Sequence, residues 1–325
     1  MLLVCVALLS GAGVSGCAIT TATEAPDTPL IIGADFAAPP FYRIKGSDGA
    51  DLLLLGTIHV GPTSGWQFSP AVLNGVERAD RLVFEIDLRE ATEDVVSSLL
   101  AETVVIQPPD TLPTIVSPET ARLLEELDAE LTSLGLPVNA RLRLKPWFIA
   151  MGLIEGAAHR SGYSAAAGVE NALMANLGSR PLLPLESFGE QIRMLDGFSP
   201  EIQDAMLRDA LLRLETAHQD VQELADAWRR GDEVELERFS RVGVEDVPEL
   251  DGLYDVVLVD RNRRWMTTLG SLLDAPEYRD ETILVAVGAM HLVGEDGLVD
   301  LLREAGYPVA RIDHFRRFEA EDGDE

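Results

Sequence analysis

Two histidines in this sequence follow a glycine at the same spacing, each at the end of an apolar run. Gly56 precedes His59 by three residues, and Gly288 precedes His291 by three residues. Neutral imidazoles are ligands for zinc and other transition metals, and histidine also transfers protons near neutral pH. Because the pattern occurs twice, we predict that both histidines serve one shared site.

Acidic and basic residues that could complete this site lie elsewhere in the chain. Glu85 sits in an apolar segment, where an ionised carboxylate is costly unless it is paired or metal-bound; otherwise it would face solvent at a sheet edge. Glu170 is a second candidate, although an acid near a helix start is also favoured by the helix dipole. Glu186 is a weaker candidate. Arg261 and Asn262 lie on an arginine-rich helix that would mostly face solvent, but an inward side chain there could stabilise an oxyanion.

The elements expected to position these residues form an α/β fold. Apolar runs and turn residues predict a hairpin and further strands at 39–44, 51–55, 81–88, 282–287 and 309–313. A helix between parallel strands brings the carboxyl ends of both strands to one edge of a sheet. We therefore predict a pseudo-duplicated, mainly parallel central sheet flanked by helices. A large helical insertion, about 115–275 with a short strand at 181–185, would lie between its two halves.

Local signals give finer predictions within the insertion. A serine followed by proline predicts helix starts at Ser117 and Ser199. Apolar spacing predicts one helix from Ser117 to Gly135. His159, His218 and His314 share no context with the paired histidines, and we expect them at the surface.

The first residues have the pattern of an export signal. A short apolar run and small residues end at Cys17, which resembles the lipid-modified cysteine of bacterial lipoproteins, although no Lys or Arg precedes the run. An ordinary secretory signal is the alternative. We predict a signal peptide at 1–17, a flexible tether at 18–36, a folded domain at 37–316 and an acidic tail at 317–325. Ala18 favours the outer membrane over the inner one.

Net charge narrows the range of partners. The chain of 325 residues has a formal charge of −29, which repels nucleic-acid phosphates. We expect no nucleic-acid partner. A peptide or small-molecule substrate is expected, with membrane attachment through a lipid on Cys17.

A series of motifs, in order, resembles the TraB/GumN (PrgY, pheromone-shutdown) family from about residue 50 to 312. The motifs lie at 54–60, 82–87, 144–147, 168–170, 185–191, 259–265 and 287–298. The usual Gly-x-Asp of the middle motif is Gly-Val-Glu at 168–170 in this chain. The resemblance implies relation to the Tiki metalloproteases and to erythromycin-esterase-like and ChaN-like proteins. It implies an active site at His59, Glu85, Arg261 and His291, with Glu170 and Asn262 as secondary candidates.

The function expected from these observations is that of an exported, lipid-anchored, metal-dependent hydrolase, most plausibly a peptidase. His59, His291 and a carboxylate, Glu85 or Glu170, would hold a divalent ion such as Mn, Co or Zn. Glu85 would be a ligand or general base, and Arg261 would stabilise an oxyanion. Two alternatives stay open at this point: a non-catalytic peptide- or haem-binding surface lipoprotein, and a metal-independent esterase using His59.

Overall fold

The structure, a computed structural model, describes residues 36–241 and 247–314. Its strands are β1 (Phe41–Ile44), β2 (Asp51–Thr57), β3 (Gly61–Pro62), β4 (Arg81–Phe84), β5 (Tyr163–Ser164), β6 (Leu182–Pro184), β7 (Thr282–Gly288) and β8 (Val309–Arg311). The predicted signal peptide, nearly all of the tether and the acidic tail lie outside the described residues.

The α-helices of these ranges surround the sheet. They are α1 (Pro70–Arg78), α2 (Glu93–Thr103), α3 (Leu112–Ile115), α4 (Pro118–Glu126), α5 (Asp128–Ser133), α6 (Val138–Arg141), α7 (Pro146–Arg160), α8 (Val169–Ala175), α9 (Phe188–Asp196), α10 (Pro200–Leu212), α11 (Ala217–Arg230), α12 (Glu233–Arg241), α13 (Asp251–Tyr254), α14 (Asp260–Asp274) and α15 (Leu298–Glu304). None of the helices described is long and apolar enough to cross a membrane.

The central sheet has six strands in the order β6-β4-β7-β2-β1-β8. β7 pairs in parallel with β2 on one side and with β4 on the other, and β6 is parallel to β4. β1 is antiparallel to both of its neighbours, β2 and β8, so it is the one strand of these six that runs in the opposite direction to the other five. The predicted α/β class, with a mainly parallel sheet flanked by helices, is confirmed.

The two strands that precede the paired histidines form the centre of the core. β2 and β7 are each seven residues long, and every residue after the first is buried. Strands covered by helices on both faces are apolar throughout rather than alternating, which explains both apolar runs. β6 comes from within the predicted insertion, so this segment also supplies an edge strand of the central sheet.

The predicted helix starts at Ser117 and Ser199 are present. Each serine hydroxyl accepts a hydrogen bond from a backbone N–H in the first turn, and proline follows. The single helix predicted from Ser117 to Gly135 is wrong, because α4 ends at Glu126 and α5 begins at Asp128. The buried Arg141 side chain explains the break, since it donates to the Leu124 carbonyl and pairs with the Asp128 carboxylate.

His314 is buried, contrary to the prediction that it lies at the surface. Its Nε2 donates to the Pro39 carbonyl at 2.8 Å, so its Nδ1 accepts from the Ser69 hydroxyl, also at 2.8 Å. Ser69 is in turn the N-cap of α1. The histidine therefore joins the residues after β8 to the start of α1 and to the segment before β1. The position of His314 near the end of the sequence does not indicate this role.

Gly231 forms the corner between α11 and α12 and fastens these helices to the sheet. Its φ is +64°, in the left-handed region, and a Cβ placed there would lie 2.4 Å from the Ala38 carbonyl oxygen. Its own carbonyl accepts from Arg311 of β8 at 2.7 Å. The backbone conformation and the close approach both require glycine.

Gly231→Ala is therefore expected to lower the free energy of unfolding by at least ~1–2 kcal/mol, the cost of a left-handed conformation for an L-residue. Gly152→Ala is the matched control, because Gly152 lies within α7 and a Cβ there would meet nothing within 4 Å. That change should stabilise the protein by ~0.5–1 kcal/mol. Chemical denaturation measures both values, and equal stability of the two variants would contradict the role given to the corner.

Candidate functional site

The three adjacent strands β2, β7 and β4 end at one edge of the sheet, and a candidate residue follows each. Thr57 and Gly288 are paired in the parallel register, so the chain leaves β2 and β7 side by side. His59 follows β2 after one residue, and His291 ends a 3₁₀ turn, Ala289–His291, that follows β7. Glu85 comes directly after β4. The fold thus brings the sequence-derived residues together at the edge where α/β sheets form their sites.

Gly288 leaves a small open space between these side chains. A Cβ built on it would lie 3.2 Å from Glu85 Oε1, 3.5 Å from His59 Nε2 and 3.7 Å from His291 Cδ2. The φ of Gly288 is −50°, which any residue can adopt. Glycine is therefore needed here for space rather than for backbone freedom. Gly56 has a related role, because a Cβ there would come within 3.0 Å of Ala289 Cβ in the turn that carries His291.

Arg261 is the buried cation of the site, with 3 % of its side chain exposed. Its Nη2 donates to Glu85 Oε2 and to Glu186 Oε1, both at 2.5 Å, and its Nε donates to the same Glu186 oxygen at 2.9 Å. Its Nη1 donates to the Val257 carbonyl at 3.1 Å. Val257 belongs to a π-helical turn, Asp255–Val259, just before α14. Every partner named here is an acceptor, so this guanidinium is held in one position.

His291 is held as a neutral imidazole of one tautomer. Its Nε2 lies 3.0 Å from Arg261 Nη1, which can only donate, so Nε2 must accept. The proton is then on Nδ1, which donates to Asn262 Oδ1 at 2.7 Å. Burial and the nearby Arg261 charge lower the pKa of His291 to about 3. Asn262 lies behind the imidazole and donates to the His291 and Asp296 carbonyls. It therefore positions His291 and does not border the open space.

His59 also borders that space and pairs with Glu170. Its Nδ1 lies 2.8 Å from Glu170 Oε1, although the two are not aligned as a regular hydrogen bond, and Thr57 donates its hydroxyl to the same oxygen. Burial would lower the pKa of His59, but the Glu170 carboxylate outweighs it and raises the pKa to about 9. At neutral pH the imidazole therefore carries a second proton, and its Nε2–H faces the space at Gly288.

Glu85 is an ionised carboxylate with one oxygen turned to the open space. Burial would raise its pKa, but Arg261 and the two histidines hold the pKa well below the usual range. Its Oε1 accepts from the Gly288 N–H at 2.7 Å, which leaves a lone pair of that oxygen for a water or substrate N–H. Gln191 donates to Oε2 at 3.3 Å. Glu85 is therefore fixed in place as an acceptor.

The metal site predicted from His59, His291 and a carboxylate does not fit this arrangement. The Nε2 lone pair that His291 would give to a metal accepts from Arg261 instead, and the ring turns a carbon toward the open space. Of the three atoms nearest to a Cβ at Gly288 among the described residues, His59 Nε2 and Glu85 Oε1 could bind a metal, and the third is a ring carbon of His291. Within residues 36–241 and 247–314, no three His, Cys, Asp or Glu side chains are grouped to hold a metal ion.

Several residues of the site were weak candidates, or not candidates at all, from the sequence alone. Glu186 holds Arg261 from two sides, Gln191 links Glu85 and Glu186, and Thr57 donates to Glu170. The signal available for them was that they lie within the motifs at 54–60 and 185–191. The expectation of a solvated arginine face was right for Arg263 and Arg264, whose side chains are 65 % and 61 % exposed.

Removing the buried cation tests the electrostatics of the site. Arg261→Met leaves the Glu85 and Glu186 carboxylates buried without their partner, and we expect the free energy of unfolding to fall by ~3–5 kcal/mol. Arg264→Met, three residues along the same helix, should change it by at most ~0.5 kcal/mol because Arg264 is exposed. Denaturant titrations of both variants measure the difference. Similar values would mean that Arg261 is not needed to balance the carboxylates.

Comparison with known proteins identifies relatives of this chain. The chain is 28 % identical over 257 residues to "Uncharacterized protein YbaP" of Escherichia coli (strain K12), covering 77 % of this chain and 87 % of the relative, and the same holds for YbaP of Shigella flexneri. A 60-residue segment, 18 % of this chain and 11 % of the relative, is 43 % identical to "Metalloprotease TIKI homolog" of Amphimedon queenslandica. No solved structure matches. Residues 40–311 match the model of the TraB/PrgY/gumN family, which confirms the predicted resemblance, and the chain belongs to that family.

Proposed function

We propose that the protein is a hydrolase that adds water to a carbonyl group in the space at Gly288, with peptide bonds as the substrate class. One observation carries this proposal: the Nε2–H of His59 and the free lone pair of Glu85 Oε1 face the same small space. A proton donor and an acceptor on opposite sides of a substrate are what hydrolysis of an amide or ester requires. The sponge relative, named as a metalloprotease homologue, supports peptides as the substrate.

In this proposal His59 is the acid and Glu85 is the acceptor. The water oxygen bonds to the carbonyl carbon while one water proton passes to Glu85 Oε1. The bond to the leaving nitrogen then breaks as that nitrogen takes the proton from His59 Nε2. Solvent returns the proton from Glu85 to His59 in the next step. Glu170 keeps His59 protonated at neutral pH.

Arg261 and His291 hold Glu85 rather than transfer protons. Arg261 places Glu85 through its Oε2 and leaves Oε1 toward the substrate. His291 accepts from Arg261 and so fixes the guanidinium from the opposite side. Its lowered pKa keeps it neutral, as an acceptor for Arg261 must be.

A metal-dependent form of the same hydrolysis is the second candidate, favoured by the name of the sponge relative. It would require His291 Nε2 to be released from Arg261. Neither the metal nor its identity among Mn, Co and Zn is supported by the residues as they stand.

Variants of the two faces of the open space test the proposal. His59→Gln should reduce turnover of internally quenched fluorescent peptides by ~10²–10⁴-fold, the usual contribution of a general acid. Gly288→Ala should reduce it comparably, because the added methyl group fills the space without backbone strain. His159→Gln and Gly152→Ala are the matched controls, since His159 is half-exposed on α7 and Gly152 is open to solvent.

The same assay, run on protein treated with a strong chelator and then supplied with Mn, Co or Zn, separates the two candidates. Full activity after chelation supports the metal-free form, and loss with recovery on adding a metal supports the second candidate. Hydrolysis of no peptide in a diverse library would contradict both and favour a binding protein.

The pH dependence reports the acid. If His59 donates its proton, kcat/KM should be maintained below pH 9 and fall as pH rises through about 9, where His59 loses that proton. Glu170→Gln removes the charge that raises the pKa of His59, so the falling limb should move to lower pH. A rate that instead rises through pH 9 would assign His59 as a base.

We further propose, on the sequence alone, that the protein is exported and anchored to a membrane by a lipid on Cys17. Cys17→Ser should then abolish incorporation of labelled palmitate and move the protein from the membrane fraction to the soluble fraction. Unchanged fractionation of this variant would contradict the anchor.

A further inference from the structure

Beside the open space at Gly288 lies a small cleft, the cavity, which opens to solvent. His59 and Gly288 belong to both the cavity and the candidate site. A substrate group in the cavity is therefore adjacent to the part of the substrate that lies between His59 and Glu85.

The other wall of the cavity is apolar and comes from the helical insertion. Leu224 and Trp228 of α11 and Leu236 of α12 form it, opposite Ile58 and Met290 at the sheet edge. The Thr57 hydroxyl, which also lines the cavity, is engaged with Glu170. Among the described lining side chains, only His59 presents a polar group without an aligned partner, and its Nε2 faces the candidate site.

The apolar wall is held rigidly. Trp228 Nε1 donates to the Gly56 carbonyl at 2.9 Å, which ties α11 to the end of β2. The Trp228 ring also packs against Trp66 with ring centroids 4.7 Å apart. A wall fixed in this way is preformed, so it selects among substrates by shape and polarity instead of closing around each one.

Charge excludes two classes of occupant. A carboxylate would lose its hydration against the apolar wall, and the charge of His59, which lines the cavity, is already paired with Glu170. An ammonium or guanidinium group would lose its hydration without an acceptor from the apolar wall. An uncharged, bulky apolar group has neither cost and displaces water from apolar surface.

We infer that this cavity is the specificity pocket of the site and accepts a bulky apolar side chain, such as leucine, phenylalanine or methionine, next to the cleaved peptide bond. The effect of the pocket on cleavage rests on the proposed hydrolysis. The binding of an apolar side chain in the cavity does not depend on it. Leu224, Leu236 and Met290 are then the residues that determine selectivity.

A substrate series tests the selectivity. Internally quenched peptides that differ at one position beside the cleaved bond should be hydrolysed with kcat/KM about 10–200-fold higher for leucine or phenylalanine than for glycine, and slowest for aspartate. Leu224→Trp should abolish the preference by filling the cavity. Leu212→Trp makes the same change on α10 at a position that is 62 % exposed, and it should leave the preference intact. Hydrolysis with equal rates across the series would overturn the inference while the proposed function stands.

Binding gives a readout that does not depend on hydrolysis or on the folding of a variant. Saturation-transfer NMR on the unmodified full chain should show contact with N-acetyl-leucinamide and none with N-acetyl-glycinamide or N-acetyl-aspartamide. Octanoate separates a side-chain pocket from an acyl-chain pocket. Binding of octanoate without N-acetyl-leucinamide, or of neither compound, would overturn the inference, and N-acetyl-leucinamide binding by a protein without peptidase activity would sustain it.

Discussion

A buried guanidinium is the interaction on which the rest of the site depends. The charge of Arg261 lies between the Glu85 and Glu186 carboxylates and against the one unprotonated nitrogen of His291. A carboxylate without this partner would be expelled from the interior or protonated. Because Glu85 stays ionised and fixed, its second oxygen can point into the space that Gly288 leaves open. The arrangement also joins α14 to the ends of β4 and β7, so the geometry of the candidate site and the packing of the sheet edge are coupled.

The strands and the candidate residues at their ends could be predicted because they follow from local rules. β2 and β7 are recognisable in the sequence as apolar runs. Parallel strands connected by helices have their carboxyl ends at one edge of the sheet. The contacts across the chain could not be predicted in this way. Glu186 meets Arg261 only because β6 joins the sheet beside β4, and nothing in the sequence near Glu186 specifies that neighbour.

Residue type alone also does not show which histidine nitrogen is available to a ligand. Two histidines and a carboxylate at one edge satisfy the composition of a metal site. Whether they form one depends on where each lone pair points, which is decided by partners distant in sequence. Asn262 and Arg261 take both nitrogens of His291, whereas His59 keeps its Nε2 toward the open space. The break between α4 and α5 and the burial of His314 have the same kind of origin, since polar contacts with residues distant in the sequence accompany each.

The Gly231 corner belongs to a part of the molecule that is separate from the charged residues of the site. The candidate site lies at the ends of the strands, and the apolar wall lies on α11 and α12. The Gly231 corner and the Trp228 hydrogen bond attach these helices to the sheet without any charged residue of the site. Side chains on the inner faces of these two helices can therefore diverge in size and shape during evolution without disturbing the residues at the sheet edge. Common ancestry would then not imply a common ligand, because each lineage could acquire its own specificity at one inherited site.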